Sequence, residues 1–124
     1  MRAARNSAVH MAVAFLAMGG WAVYANAAHP MPRPLIAGVA QGCVSALITL
    51  FLKQMLEALS QRLANLAALA LPPIAAVLCS VALLLTIHGA AGTPEILRTI
   101  AVPLTVTAVY AATYNFALWK RRDG

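Results

Sequence analysis

Few side chains in this sequence are able to do chemistry, and where they stand says more than how many there are. The three acidic residues are Glu57, Glu95 and Asp123. None falls in the middle of an apolar run, so none reads as a proton-coupling carboxylate held at membrane depth. Cys43 and Cys79 lie singly inside apolar runs, with no C-x-x-C spacing and no clustered histidines. That pattern reads as small polarizable packing residues and supplies no metal site. His10, near the start of the first apolar run, reads as an interface residue rather than a proton carrier. H-E-x-x-H, G-x-S-x-G and a glycine-rich phosphate loop are all missing. The sequence therefore reads as non-enzymatic and without a cofactor.

Two stripes of small and polar residues are better organised. Gly38 and Gly42 form a G-x-x-x-G pattern extended by Ala46, with Gln41, Ser45 and Thr49 on or beside the same face. Small residues four apart let two helix backbones approach closely, and the amide and hydroxyls can hydrogen-bond across the contact. Such a face serves packing inside a bundle or the seam of a homodimer. The second stripe is Thr99, Pro103, Thr107, Tyr110 and Tyr114, flanked by Thr113 and Asn115. Pro103 lacks an N–H and frees the carbonyl near Thr99. Unsatisfied polar groups are costly in hydrocarbon, so this line faces protein or a wet cavity. Opposed to the first stripe it acts as interhelical glue; alternatively Gln41, Ser45, Thr107, Tyr110 and Tyr114 line a transporter cavity. A third group, His29, Arg33, His88, Glu95 and Arg98, with Asn26 just below, forms a polar rim at the other end. Loop solvation and an i,i+3 pair of Glu95 with Arg98 account for it, and an anionic headgroup or a partner loop is the alternative.

The elements that position these residues follow from composition. Of 124 residues 62% are hydrophobic and 10% charged, with a mean hydropathy of +0.80. A soluble domain is about half apolar and about a quarter charged, so the expected solvent of this chain is lipid. The net charge of +6 does not make a nucleic-acid surface, because the basic residues sit at the ends of apolar runs rather than in an aromatic-laced patch. The expected fold is an all-α membrane protein. It has one domain of four transmembrane helices, over about 7–28, 35–52, 73–90 and 95–119, in a compact bundle.

Local signals set those boundaries. The first run ends in Ala25-Asn26-Ala27, which after a basic start resembles a secretory cleavage site. The next run follows too soon for a cleaved leader, and Trp21 and Tyr24 suit an aromatic belt, so a retained anchor is expected. Pro30, Pro32 and Pro34 make a turn before the second run, which stops at Lys53. Leu52, Leu56, Leu59, Leu63 and Leu66 then share one face of an amphipathic segment over about 53–71, expected to continue the second helix or lie on the inner leaflet. Pro72-Pro73 breaks the chain and starts the third helix. Thr93-Pro94-Glu95 reads as N-cap, first helical residue and first-turn acid of the fourth.

With the N-terminus inside, seven of the nine Lys and Arg fall on the inner side and only Arg33 and Arg98 on the outer. The positive-inside bias predicts an inner-membrane, multi-pass protein with both termini cytoplasmic. The length and four-span plan resemble those of small multidrug exporters and of lipid-linked sugar flippases. The exporters' glutamate embedded in the first helix has no counterpart here, and no motif ties the chain to the second group. The leading expectation is a non-enzymatic helical unit in the lipid bilayer, acting as a homo-oligomer or as accessory subunit of a larger membrane-protein partner, with no nucleic acid involved. The alternative is a small dimeric transporter or lipid flippase. A lipid-surface sensor built on 53–71 is a third.

Overall fold

In the computed structural model of the chain, which describes residues 2–122, four helices follow one another: α1 (Arg2–Ala25), α2 (Arg33–Arg62), α3 (Asn65–Ala91) and α4 (Ile96–Arg122). Asp123, read from the sequence as a tail acid, lies outside the described residues. Each helix is long and apolar enough to cross a membrane. Consecutive helices pack side by side, α2 also touches α4 across the bundle, and among the described residues α1 and α3 make no contact. One end of the bundle carries both termini and the α2–α3 connection; the other, the loop end, carries the α1–α2 and α3–α4 turns.

Small and polar residues make up much of the inside of the bundle, and many large apolar ones lie outside. On α3 the buried positions are Ala68, Pro72, Ala76, Ser80, Leu84 and His88, a strict four-residue ridge. Leu66, Ile74, Leu78 and Leu83 of the same helix are exposed. A water-soluble bundle has the opposite arrangement. Small inward residues bring backbones together, so association comes from van der Waals contact and interhelical hydrogen bonds.

The two apolar core clusters both belong to α2, α3 and α4. Leu52, Leu56, Ala76 and Ala111 form one, and Val44, Leu84 and Ile100 the other. α1 is held differently, by a glycine contact with α2. A Cβ on Gly19 would lie 2.9 Å from the Gly38 carbonyl oxygen and 3.6 Å from the Gly42 Cα, and a Cβ on Gly42 would lie 2.9 Å from the Phe15 ring. The G-x-x-x-G face of α2 is therefore spent inside the chain, against Gly19 and Phe15.

Three prolines sit inside helices, and side chains from other helices make good what each removes. Pro72 and Pro73 offer no N–H to the carbonyls of Ala68 and Leu69, four residues back. The Asn115 Nδ2 amide of α4 donates to both, at 3.0 and 2.9 Å; its own Oδ1 is buried without a partner among the described residues. Pro103 likewise frees the Thr99 carbonyl, and the Trp21 indole N–H of α1 donates to it at 3.1 Å, and to the Arg98 carbonyl at 3.2 Å. Further along α4, Trp119 donates to the Asn65 carbonyl at 3.0 Å, and Arg122 to the backbone carbonyl and hydroxyl of Ser60. Asn115, Trp119 and Arg122 share one face of α4 and together hold the α2–α3 corner.

Several boundaries differ from expectation. The helical hydrogen bonding of α1 starts at Arg2, so the basic start is part of the helix. Of the two readings of 53–71, continuation of the second helix agrees with the structure as far as Arg62: α2 runs unbroken to there, only Leu63 and Ala64 are extended, and α3 begins at Asn65, so the rest of the segment belongs to α3. Asn65 has φ +58°, a left-handed conformation that Asn tolerates better than most residues. The two-residue break shifts the helical phase, so Leu52 and Leu56 enter the core while Leu66 is exposed. Pro72-Pro73 does not begin α3 but lies inside it, which Asn115 makes affordable. α4 starts at Ile96, after a turn through Pro94 and Glu95. Thr93 does not cap it. Instead the Asn26 Oδ1 accepts the Glu95 N–H at 2.9 Å, a cap supplied from the end of α1. Gly92, at φ +71°, closes α3, with the Thr93 N–H donating to the His88 carbonyl at 3.0 Å. Cys43 and Cys79 are free and exposed on outward faces, not packed inside as expected.

Two outcomes check this packing. Gly19→Ala forces the α1 and α2 backbones apart and should destabilise by about 1–3 kcal/mol in a denaturant titration. Gly20→Ala, with nothing within 4 Å of its Cβ, should not destabilise; equal behaviour of the two variants contradicts the seam. Asn115→Leu should cost a similar ~1–3 kcal/mol by orphaning two carbonyls. Adding Pro72→Ala and Pro73→Ala to it, which restores the missing N–H groups, should recover most of that loss.

Candidate functional site

At the loop end α1 is tied to α4. Besides the Trp21 bonds, the Asn26 amide donates to Thr99 Oγ1 at 2.7 Å and to the Ala22 carbonyl at 2.8 Å, and Arg98 lies over the Tyr24 ring, 5.8 Å from its centroid. Toward the termini no comparable ties bind α1 to α4 among the described residues, and a crevice of about 920 Å³ lies between α1, α2 and α4. Its upper walls are apolar, with Val13, Ala14, Met18, Ile48, Pro103 and Val106, and its mouth at the terminal end is polar, with Asn6, His10, Lys53, Glu57 and Tyr114. Val13 and Val106 are also exposed on the bundle surface, so the crevice is open sideways as well as at the end.

The two polar stripes meet at this crevice in part. Ser45 and Thr49 of α2 and Thr107, Tyr110 and Tyr114 of α4 all line it. Tyr110 and Tyr114 stack at 5.5 Å with their planes 9° apart. The Tyr114 hydroxyl donates to Glu57 Oε1 at 2.5 Å, and Lys53 Nζ stands 3.9 Å from the same oxygen. Gln41 does not face the crevice. It is fully buried, and its Nε2 donates to Ser45 Oγ at 2.7 Å while its Oε1 stands 2.7 Å from His88 Nε2. Gly38 and Gly42 do not face it either, being covered by α1. Thr113, a flanking residue of the stripe, is exposed and bonds only its own helix.

The polar rim divides. His29 Nε2 and Glu95 Oε2 are 3.0 Å apart, and Arg98 takes the Tyr24 face, so Glu95 pairs with His29 rather than with Arg98. Arg33 is exposed at the start of α2. His88 is no rim residue at all: it is 0% exposed, with Nδ1 at 2.6 Å from Thr93 Oγ1 and Nε2 at 2.7 Å from Gln41 Oε1. With the Gln41 amide turned to Ser45, a single neutral tautomer satisfies both ring nitrogens, Nε2 donating and Nδ1 accepting. A chain of hydrogen bonds thus runs from Thr93 through His88 and Gln41 to Ser45 at the crevice wall. Proximity to a loop in the sequence concealed this burial; the four-residue ridge from Ala68 to His88 was the signal that reveals it.

Other contributors were also hidden in the sequence. Glu57, read as part of a surface segment, stands at the crevice mouth because α2 stays helical past Lys53. Asn26, read as lying below the rim, joins α1 to α4. Comparison with family models, with curated proteins and with solved structures finds no match to this chain.

Gln41→Leu strips the His88 ring and Ser45 of their shared partner and should destabilise by about 1–3 kcal/mol. Because the residues act as one network, the double variant with His88→Leu should lose clearly less than the sum of the singles. Additive losses contradict a coupled network.

Proposed function

We propose that this chain is a multi-pass inner-membrane protein, with both termini cytoplasmic, that takes a lipid-like amphiphile into the crevice between α1, α2 and α4 and acts as a small lipid transporter. The observation that carries the reading is the crevice itself, mostly apolar above and more polar at its mouth, with the hydroxyls of Ser45, Thr49, Thr107, Tyr110 and Tyr114 spaced along its walls. An amphiphile lying along a helix bundle has the same polarity gradient. Membrane insertion is supported by the outward apolar faces of all four helices and by the polar interior; the side bearing Lys53 and the Lys120-Arg121-Arg122 cluster is read as cytoplasmic from the positive-inside bias.

The depth of the mouth agrees with a headgroup level. Lys53 lies 20 residues along α2 from Arg33, about 30 Å at 1.5 Å per residue, close to the hydrocarbon thickness. The carboxylate and hydroxyls of the mouth are read as groups that bind a headgroup. The reading of the chain as a homo-oligomer or accessory subunit drew on the small-residue face of α2, the polar stripe of α4 and the lack of deep charges; the first of these is taken up by α1.

Reconstituted into vesicles, the protein should speed the exposure of an acyl-labelled fluorescent phospholipid to an external quencher. Ala17→Trp, which fills the crevice from α1, should return the rate to that of protein-free vesicles without lowering thermal stability. No acceleration by the unaltered chain contradicts the proposed function.

A further inference from the structure

The mouth of the crevice carries charges of both signs in adjacent positions. Lys53 Nζ and Glu57 Oε1 are 3.9 Å apart, one helical turn from each other on α2, with side chains 60% and 39% exposed. The exposed pair contributes little to folding, so its two charges remain open to a ligand. Glu57 is not loose: the Tyr114 hydroxyl donates to its Oε1 at 2.5 Å, which fixes the group at the mouth, and its side chain is 39% exposed. Tyr114 is in turn stacked on Tyr110, so the carboxylate is backed by two aromatic rings.

These charges select among amphiphiles. A purely anionic headgroup attracted by Lys53 is repelled by Glu57, and a purely cationic one meets the reverse. A headgroup carrying both charges on neighbouring atoms satisfies both. A primary ammonium also donates hydrogen bonds to the carboxylate, which a quaternary ammonium has no N–H to make. The remaining polar residues of the mouth, Asn6, Ser7, His10 and Gln54, include no further carboxylate. The apolar walls above, Val13, Ile48 and Val106, run toward the bundle centre as an acyl chain does.

We propose that the crevice binds a phospholipid whose headgroup bears a primary ammonium beside its phosphate, the ammonium against Glu57 and the phosphate against Lys53. The inference rests on the reading of the crevice as a lipid site and adds the headgroup class to it. The test is native mass spectrometry of the delipidated full chain titrated with dioleoyl phosphatidylethanolamine, phosphatidylcholine or phosphatidylglycerol. Phosphatidylethanolamine should bind at least roughly fivefold tighter than the other two, the size of one partly exposed charge-assisted hydrogen bond. Glu57→Gln keeps the acceptor for Tyr114 and should erase that preference while still binding lipid, with an unchanged melting temperature showing that the fold is intact. Equal binding of the three lipids, tighter binding of phosphatidylglycerol, or a preference that survives Glu57→Gln overturns the headgroup assignment and leaves the lipid crevice standing. Failure of all three lipids to bind overturns both.

Discussion

Everything distinctive in this bundle follows from how α1 is attached. A helix that offered a continuous apolar face would pack against α2 and α4 along its whole length and leave no space. α1 instead packs closely along α2, with Gly19 against Gly38 and Gly42 and the Phe15 ring over Gly42, while its hydrogen bonds to α4, from Trp21 and Asn26, stand at the loop end. Those bonds do not reach the terminal half of the helix. The crevice is what remains when α1 follows α2 but meets α4 closely at one end, and α2–α4 supply a closed core without it.

The second constraint is the demand of freed carbonyls for donors. Pro72, Pro73 and Pro103 would be expensive in a buried helix if their orphaned acceptors had nothing to meet. Asn115 and Trp21 meet them from neighbouring helices, so each proline becomes a fixed interhelical link rather than a break. This ties α3 to α4 at the terminal end and α1 to α4 at the loop end. The same logic gives Asn26 its place, capping α4 from the end of α1. Polar groups that would weaken a lipid-facing surface instead specify which helix ends meet.

Much of the architecture was legible in the sequence because hydropathy and helix length are local properties. Four apolar runs become four helices, the first and last pairs joined by proline- or glycine-bearing turns, and most of the stripes beginning at Gly38 and Thr99 face the interior or its crevice. What was not legible depends on a partner distant in the chain. Pro72-Pro73 reads as a helix start until Asn115 is seen beside it, 42 residues on. Thr93 reads as a cap until Asn26 is found in that role. His88 reads as a loop residue until Gln41 closes over its ring. Glu57 reads as part of an amphipathic segment until Tyr114 is found against its carboxylate at the crevice mouth. Gly19 carries no motif of its own, standing beside Gly20 in the sequence, and only the approach of Gly38 tells the two apart.

In the proposed function the half of the bundle bearing the termini, open between α1 and α4, admits an acyl chain. Thr107 decides it, since this residue is only 7% exposed and can meet lipid only through the crevice. The most direct measurement is solution NMR of methyl-labelled protein in bicelles. Cross-peaks from lipid acyl methylenes to the methyls of Thr107 and Ala14 are the predicted result. Cross-peaks between the Thr107 and Ala14 methyls themselves, with none to lipid at either, would mean that α1 closes onto α4 and would contradict the account.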